Sequence, residues 1–337
     1  MKHKTDKIRW GLVGLGNVVT SKFAPALARS ERSIITACST RNLESARQFA
    51  QKSEVGRVHE TFDQLAKDPD LDVVYLATPN SMHFEQAKLA LQCGKHVLCE
   101  KPLALTVTEG DELICIASRE KRLLKVAYQF RFERLFEQTR KHILAGGLGE
   151  LRSVRLFGCA ASTARSAGWR QDPAEGGVLS DLGVHLLDLV LWMTGLKFTD
   201  ISARSHPSEL GKSPTQTITI LGTLGQDCHC TISATREAPY GQNSFAVEGT
   251  QGTLSNSAWR GIPEYELTVV DADGRRIEKL MSSQMFEREI EAFEDELAGK
   301  RTILATAEDG IRAIVLADAV RASALSGHSI IIDERQG

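Results

Sequence analysis

The chain has 337 residues, of which 42% are hydrophobic and 25% charged, and a net charge of -2. That length points to two domains of ordinary globular composition, and the near-neutral balance gives no basic surface for nucleic acid or an anionic membrane. No apolar run approaches the roughly 20 residues that span a bilayer, and the polar start Met1-Lys-His-Lys-Thr-Asp-Lys7 has no signal-peptide core. The seven cysteines are scattered without a Cys-x-x-Cys pair. Cys228 and Cys230 alternate in a strand-like run. Reduced, mostly buried thiols in a cytoplasmic protein are the expectation.

Residues 8–13 form a short β-rich run, and Gly14-Leu-Gly16-Asn17-Val18-Val19 follows at once, then an Ala- and Leu-rich helical stretch to about residue 28. Strand-like runs at 34–39, 73–77, 95–99 and 124–127 alternate with helical patterns at 43–51, 82–93 and 108–121. Such alternation predicts right-handed βαβ units and a doubly wound parallel sheet. After residue 127 the pattern changes. One more helix (134–145) and Gly146-Gly147 precede strand candidates at 151–160, 200–206, 216–221, 228–235, 244–248, 252–256 and 264–270, and helical patterns close the chain at 286–298 and 308–326. The expected architecture is an α/β Rossmann domain over 1–127 and an α+β domain over 128–337 with a large, open, mostly antiparallel sheet.

Gly14-x-Gly16, between a first strand and a first helix, is where a Rossmann fold holds a dinucleotide pyrophosphate on backbone N–H groups. The third glycine position of that fingerprint holds Val19. At the end of the second strand an NAD site usually carries an acid for the ribose 2′-hydroxyl. Here Ser39-Thr40-Arg41 stands instead, and two hydroxyls with a guanidinium suit a 2′-phosphate, which favours NADP over NAD. Thr78-Pro79-Asn80 and Glu100-Lys101-Pro102 end two further strands at the carboxyl edge where such folds bind ligands. His83, in the helix turn that follows Asn80, suits a structural role as well as a contact. For Lys101 the spacing leaves two readings open, a surface salt bridge and a catalytic group.

In Gly176-Gly-Val-Leu-Ser-Asp181-Leu-Gly-Val-His185-Leu-Leu-Asp188, two reactive groups stand four residues apart, close to one helical turn. Alone, this is an ordinary buried helix with one polar seam. Asp181 and His185 have the spacing of a metal pair, but no third ligand of matching placement accompanies them, so no metal is expected. Trp169-Arg170 precedes this helix in a loop, with packing as the commoner role for such a Trp.

Together these residues resemble the Gfo/Idh/MocA family. The resemblance runs through Gly14-x-Gly16, Ala77-Thr-Pro79-Asn80-x-x-His83, Gly94-Lys-His-Val-Leu-Cys-Glu100-Lys101-Pro102, Trp169-Arg170, Asp181-x-Gly183-x-His185, Glu248-Gly249-Thr250-x-Gly252 and Glu308-Asp309-Gly310. It implies a reversible alcohol–ketone oxidoreductase that uses NADP, or NAD, on a sugar, cyclitol or related polyol. Lys101, Asp181 and His185 fall on the family's catalytic positions. Gly14, Gly16, Asn17, Val18, Ser39, Thr40, Arg41, Thr78, Pro79, Asn80, His83, Glu100, Lys101, Trp169 and Arg170 fall on its cofactor-contacting ones. Val19 departs from the usual small residue, and Phe286 stands where some relatives have tyrosine. The alternatives are a regulator that binds NADP without turnover and a dehydrogenase of a non-sugar substrate such as a dihydrodiol. An exposed open sheet further suggests a homodimer or homotetramer.

Overall fold

The computed structural model describes residues 7–159, 172, 177–208, 216–238, 243–258 and 262–333. The chain forms two compact units, Met1–Phe132 with Gln284–Ile311 and Glu133–Ser283 with Arg312–Gly337.

In the first unit six strands, β1 (Ile8–Val13), β2 (Ser33–Ser39), β3 (Arg57–Val58), β4 (Val73–Leu76), β5 (His96–Glu100) and β6 (Leu124–Ala127), lie parallel in the order β3-β2-β1-β4-β5-β6. Ala305–Thr306 adds an antiparallel edge to β6. The order reverses between β1 and β4, so the loops leaving those strands diverge and open a crevice at their carboxyl ends. All of β4 is buried, as a strand covered on both faces requires. Five helices connect the strands: α1 (Ala24–Ala28), α2 (Leu43–Lys52), α3 (Phe62–Ala66), α4 (His83–Gln92) and α5 (Val107–Glu120). Thr61 and Thr106 start α3 and α5 with reciprocal capping boxes to Gln64 and Glu109.

An aromatic column fills the space under the sheet. Phe23 stacks on Tyr75 at 3.6 Å and meets Trp10 edge-on at 5.8 Å, and Trp10 packs on Phe293 at 5.1 Å. Phe293 comes from a later helix, Met285–Leu297, which belongs to this unit. The Trp10 indole donates to Ser33 Oγ at 2.9 Å, and Ser33 donates to the buried Glu294, so the helix is tied by polar as well as apolar contacts.

The second unit holds a nine-stranded sheet. In chain order its strands are β7 (Leu151–Cys159), β8 (Phe198–His206), β9 (Thr217–Leu224), β10 (Cys228–Thr235), β11 (Ser244–Gly249), β12 (Thr253–Asn256), β13 (Glu264–Asp271), β14 (Gly274–Met281) and the short Ile330–Ile331. They are arranged β14-β13-β12-β11-β7-β10-β9-β8 with Ile330–Ile331 at the edge, and every neighbouring pair is antiparallel except β7 with β10. Burial alternates along β9, with Ile218, Ile220 and Leu224 inside and Thr219 and Leu221 outside. One face is therefore covered, in part by α7 (Val184–Thr194), while α6 (Arg134–Leu144) opens the unit. Gly158 permits the close approach of α7's leading turns. A Cβ there would lie 2.9 Å from Leu186 Cδ1 and 3.1 Å from Leu182 Cδ2. Gly158→Val should cost about 1–3 kcal/mol through overpacking, read as a lower urea midpoint. A wild-type midpoint would mean that α7 yields freely.

Candidate active site

β1 delivers Gly14 into the crevice with φ +81°, and a Cβ there would stand 2.5 Å from the Ala77 carbonyl oxygen. No other residue type fits both constraints. The turn is pinned where Gly14 N–H donates to Ser39 O at 3.1 Å and Ala77 N–H donates to Val13 O at 2.9 Å. Gly16 is different: a Cβ added to it would meet nothing within 4 Å. The helix begins at Asn17, and Val18 continues its first turn, so their backbone amides belong to the unpaired set that every helix start carries. Val19 is fully buried and begins a π-helical turn, Val19–Phe23, that leads into α1. The turn is thus widened where a glycine would otherwise permit tight packing of helix on strand.

At the end of β2, Ser39 is buried, and beyond it Thr40 is half-buried and Arg41 exposed. At the end of β4, Thr78 Oγ1 donates to Gln86 Oε1 at 2.6 Å, and Pro79 leads into a short 3₁₀ turn that begins with the buried Asn80. His83 has no exposed surface, and its two ring nitrogens lie 2.7 Å from the Pro102 carbonyl oxygen and 3.0 Å from that of Thr78. It therefore ties the loop after β4 to the loop after β5. Glu100 is the last residue of β5, buried, and accepts a hydrogen bond from the Tyr75 hydroxyl at 2.7 Å. Lys101 follows it, half-buried, with a cis peptide bond to Pro102. Behind this loop Arg131 pairs with Asp309 at 3.1 Å, which places the Glu308-Asp309-Gly310 motif within the same unit.

In the second unit Asp181 and His185 share one continuous helix, but the segment Leu179–Gly183 is a π-turn, closed by Val184 N–H on Leu179 O. The spacing is still close to one turn. His185 is buried and Asp181 half-buried. Asp181 Oδ2 pairs at 2.9 Å with Arg236 Nη2, and the two side chains are only 16% and 8% exposed. Arg236, just past β10, is a residue that sequence reasoning missed. Its partner lies 55 positions away (236 − 181), and a lone arginine at a strand end reads as solvated. Asp188, one turn after His185, is buried. Trp169, Arg170 and Gly176 lie outside the described residues. Among the described residues no group of three His, Cys, Asp or Glu side chains is placed to hold a metal ion, and no helix is long and apolar enough to cross a membrane.

The first unit fits a dinucleotide. A glycine turn with open space over Gly16 and a following helix start supplies N–H donors for a pyrophosphate, and the β4 and β5 loops line the same carboxyl edge. Fold and site together define an NAD(P)-dependent oxidoreductase acting on CH–OH groups. The chain belongs to the Gfo/Idh/MocA family. Residues 8–128 match the oxidoreductase family model with NAD-binding Rossmann fold, and residues 136–255 match the GFO/IDH/MocA C-terminal domain.

The chain is 28% identical to 1,5-anhydro-D-fructose reductase of Ensifer adhaerens over 331 residues, 96% of this chain and 98% of that one. It is 32% identical to trans-1,2-dihydrobenzene-1,2-diol dehydrogenase of Macaca fuscata fuscata over 262 residues, 75% of each. A 3-ketoreductase from Actinomadura kijaniata, solved with NADP, superposes with a TM-score of 0.83 at 25% identity, over 94% of this chain and 98% of that one.

The two glycines separate folding from binding. Gly14→Ala should lower the melting temperature as well as NADPH affinity, because its Cβ clashes with backbone. Gly16→Ala should leave the melting temperature unchanged and weaken NADPH, seen by fluorescence titration. Equal NADPH affinity in Gly16→Ala would remove the pyrophosphate from this turn.

Proposed function

We propose that the enzyme interconverts a secondary alcohol and a ketone on a sugar, cyclitol or related polyol, with NADP(H) as the preferred cofactor and NAD as a weaker one. The observation that best supports it is a lysine at the carboxyl end of β5, directly after the buried, hydrogen-bonded Glu100. Likeness to the 1,5-anhydro-D-fructose reductase over nearly the whole chain supports the substrate class. The nicotinamide supplies or accepts hydride when bound. The chain's own task is then to fix the substrate and to exchange a proton with its oxygen.

In this reading Lys101 hydrogen-bonds the reacting oxygen and stabilises negative charge developing on it. His185, whose residue type titrates near neutral pH, exchanges the proton. Asp181, fixed in direction by Arg236, orients the substrate through a neighbouring hydroxyl. Gly14, Gly16, Asn17 and Val18 receive the pyrophosphate, and Ser39, Thr40 and Arg41 receive the 2′-phosphate. Thr78, Pro79, Asn80 and Glu100 line the nicotinamide half, and Trp169 and Arg170 complete the cofactor contacts. His83 serves by holding the Thr78 and Pro102 loops together.

The 32% identity to a dihydrodiol dehydrogenase favours a second reading, a cyclic diol as the substrate. A homo-oligomer in the cytoplasm is part of the proposal. Leu221, more than half exposed on the sheet face opposite Ile218 and Ile220, supports the first. Burial pushes the Cys38 thiol up to about 11 and Cys230 higher still, which suits thiols that stay reduced.

Lys101→Met should bind NADPH nearly as the wild type does while losing turnover, as measured by titration and by absorbance at the reduced-nicotinamide band. Unchanged turnover would remove Lys101 from the mechanism. Arg41→Ala should weaken NADPH far more than NADH, and equal weakening would sink the 2′-phosphate assignment. Screening both cofactors against sugars, ketosugars, inositols and cyclic diols decides between the two substrate readings.

A further inference from the structure

Arg236, the first residue past β10, is buried, and its guanidinium Nη2 stands 2.9 Å from Asp181 Oδ2. Its backbone has little freedom. The Arg236 amide donates to the Gln216 carbonyl at 2.8 Å. The residues on either side of it close a ring of hydrogen bonds through Thr217. The Glu237 amide donates to Thr235 Oγ1 at 3.1 Å, Thr235 and Thr217 hydroxyls meet at 2.7 Å, and Thr217 donates to Glu237 Oε2 at 2.6 Å. The guanidinium is therefore presented from the pinned end of a strand. The other partner is fixed too. Asp181 lies inside the Leu179–Gly183 π-turn, and the residue before it, the buried Ser180, accepts a hydrogen bond from Arg321 Nη2 at 3.2 Å.

A buried ion pair kept for stability alone would use its donors fully, because an unmet buried N–H offsets what the pair contributes. This pair does not. Arg236 Nε is out of contact with solvent and has no hydrogen-bond partner among the described residues. Arg236 meets the acid end-on, through Nη2, and not through the two-pronged Nε–Nη2 edge. Asp181 Oδ2 is withdrawn from solvent, so the 16% exposure that the Asp181 side chain keeps belongs to its other atoms. The arrangement is a poor stabiliser and a good director of one carboxylate oxygen.

We propose that Arg236 is a positioning residue for the reaction, one that keeps Asp181 ionised and turned in a single direction so that the acid orients the substrate. This rests on the reading that Asp181 works on the substrate. Arg236 acts through Asp181 and touches neither substrate nor cofactor. Without it, Asp181 would be a half-buried carboxylate stripped of its counter-charge, which takes up a proton or turns to another rotamer. A misdirected acid slows the reaction of bound substrate more than it weakens binding.

A double-variant cycle in the full-length enzyme tests this, with turnover followed at the reduced-nicotinamide band on the best sugar, ketosugar, inositol or cyclic diol of the screen above. Arg236→Ala should lower kcat by about a hundredfold with KM within about threefold, and Asp181→Asn should do the same. The double variant should be no worse than either single one, because both remove one interaction. Losses that multiply would overturn the proposal, since Arg236 would then act apart from Asp181. Millimolar guanidinium, far below denaturing concentration, should restore kcat roughly tenfold in Arg236→Ala and not at all in the double variant. Equal restoration in both would also overturn it. Wild-type kcat in a folded Arg236→Ala, with Asp181→Asn impaired, would sink the positioning role and leave Asp181 in the mechanism. Wild-type kcat in Asp181→Asn would instead remove the acid itself, and Arg236 with it. If Arg236→Ala does not fold, Arg236→Lys takes its place in the cycle. An ammonium keeps the charge without the planar direction, so kcat should fall about tenfold, and wild-type kcat there would overturn the proposal.

Discussion

Parallel strands that stop at a common edge leave carbonyls and amides there without ladder partners, and those groups must be satisfied locally. Much of the first unit's binding edge follows from how this is done. The amide of Gly14 is taken by the end of β2, and that of Ala77 by the end of β1. One buried imidazole, His83, lies against the carbonyls that follow β4 and β5. The loop that presents Lys101 is therefore held from its own flank. A lysine has four flexible side-chain bonds, so a fixed backbone is the first requirement for using it at one oxygen.

Several charges inside both units come as pairs. Arg236 meets Asp181, Arg131 meets Asp309, and Lys125 meets Glu296 at 2.7 Å, each largely withdrawn from solvent. Such pairs are weak evidence for stability, because desolvation offsets much of their attraction. They are better evidence for direction: a planar guanidinium fixes the carboxylate it faces. Asp181 is held in this way, and Glu100 accepts a hydrogen bond from a phenol.

Much of this was legible in the residues. The alternation of apolar strands and amphipathic helices predicts the first sheet, and the glycine turn, His83, Lys101 and the Asp181–His185 helix stand out by spacing. What stayed hidden depends on contacts distant in sequence or on patterns too short to show a period. β3 is two residues long, and α3 is five. β14 is an edge strand of sequence Gly-Arg-Arg-Ile-Glu-Lys-Leu-Met, exposed along most of its length, so it lacks the alternation of a half-buried strand. The parallel pairing of β7 with β10 inside an otherwise antiparallel sheet has no local signature. Arg236 gains its interest only from a partner supplied by another element. A helix reading of residues 286–298 identifies an amphipathic segment but does not say which unit it joins.

The π-turn at Leu179–Gly183 sets the phase of the helix that carries Asp181 and His185. One residue more than an α-turn is threaded into that loop of backbone, so everything before it is rotated relative to everything after it. Removing a single residue there would let the helix wind regularly and would carry the preceding segment about 100° around the axis. The Asp181 carboxylate would then no longer face Arg236, although each side chain would remain in the protein. In this helix the count of residues, as much as their identity, is under constraint, and an insertion or deletion would act like a substitution at the site.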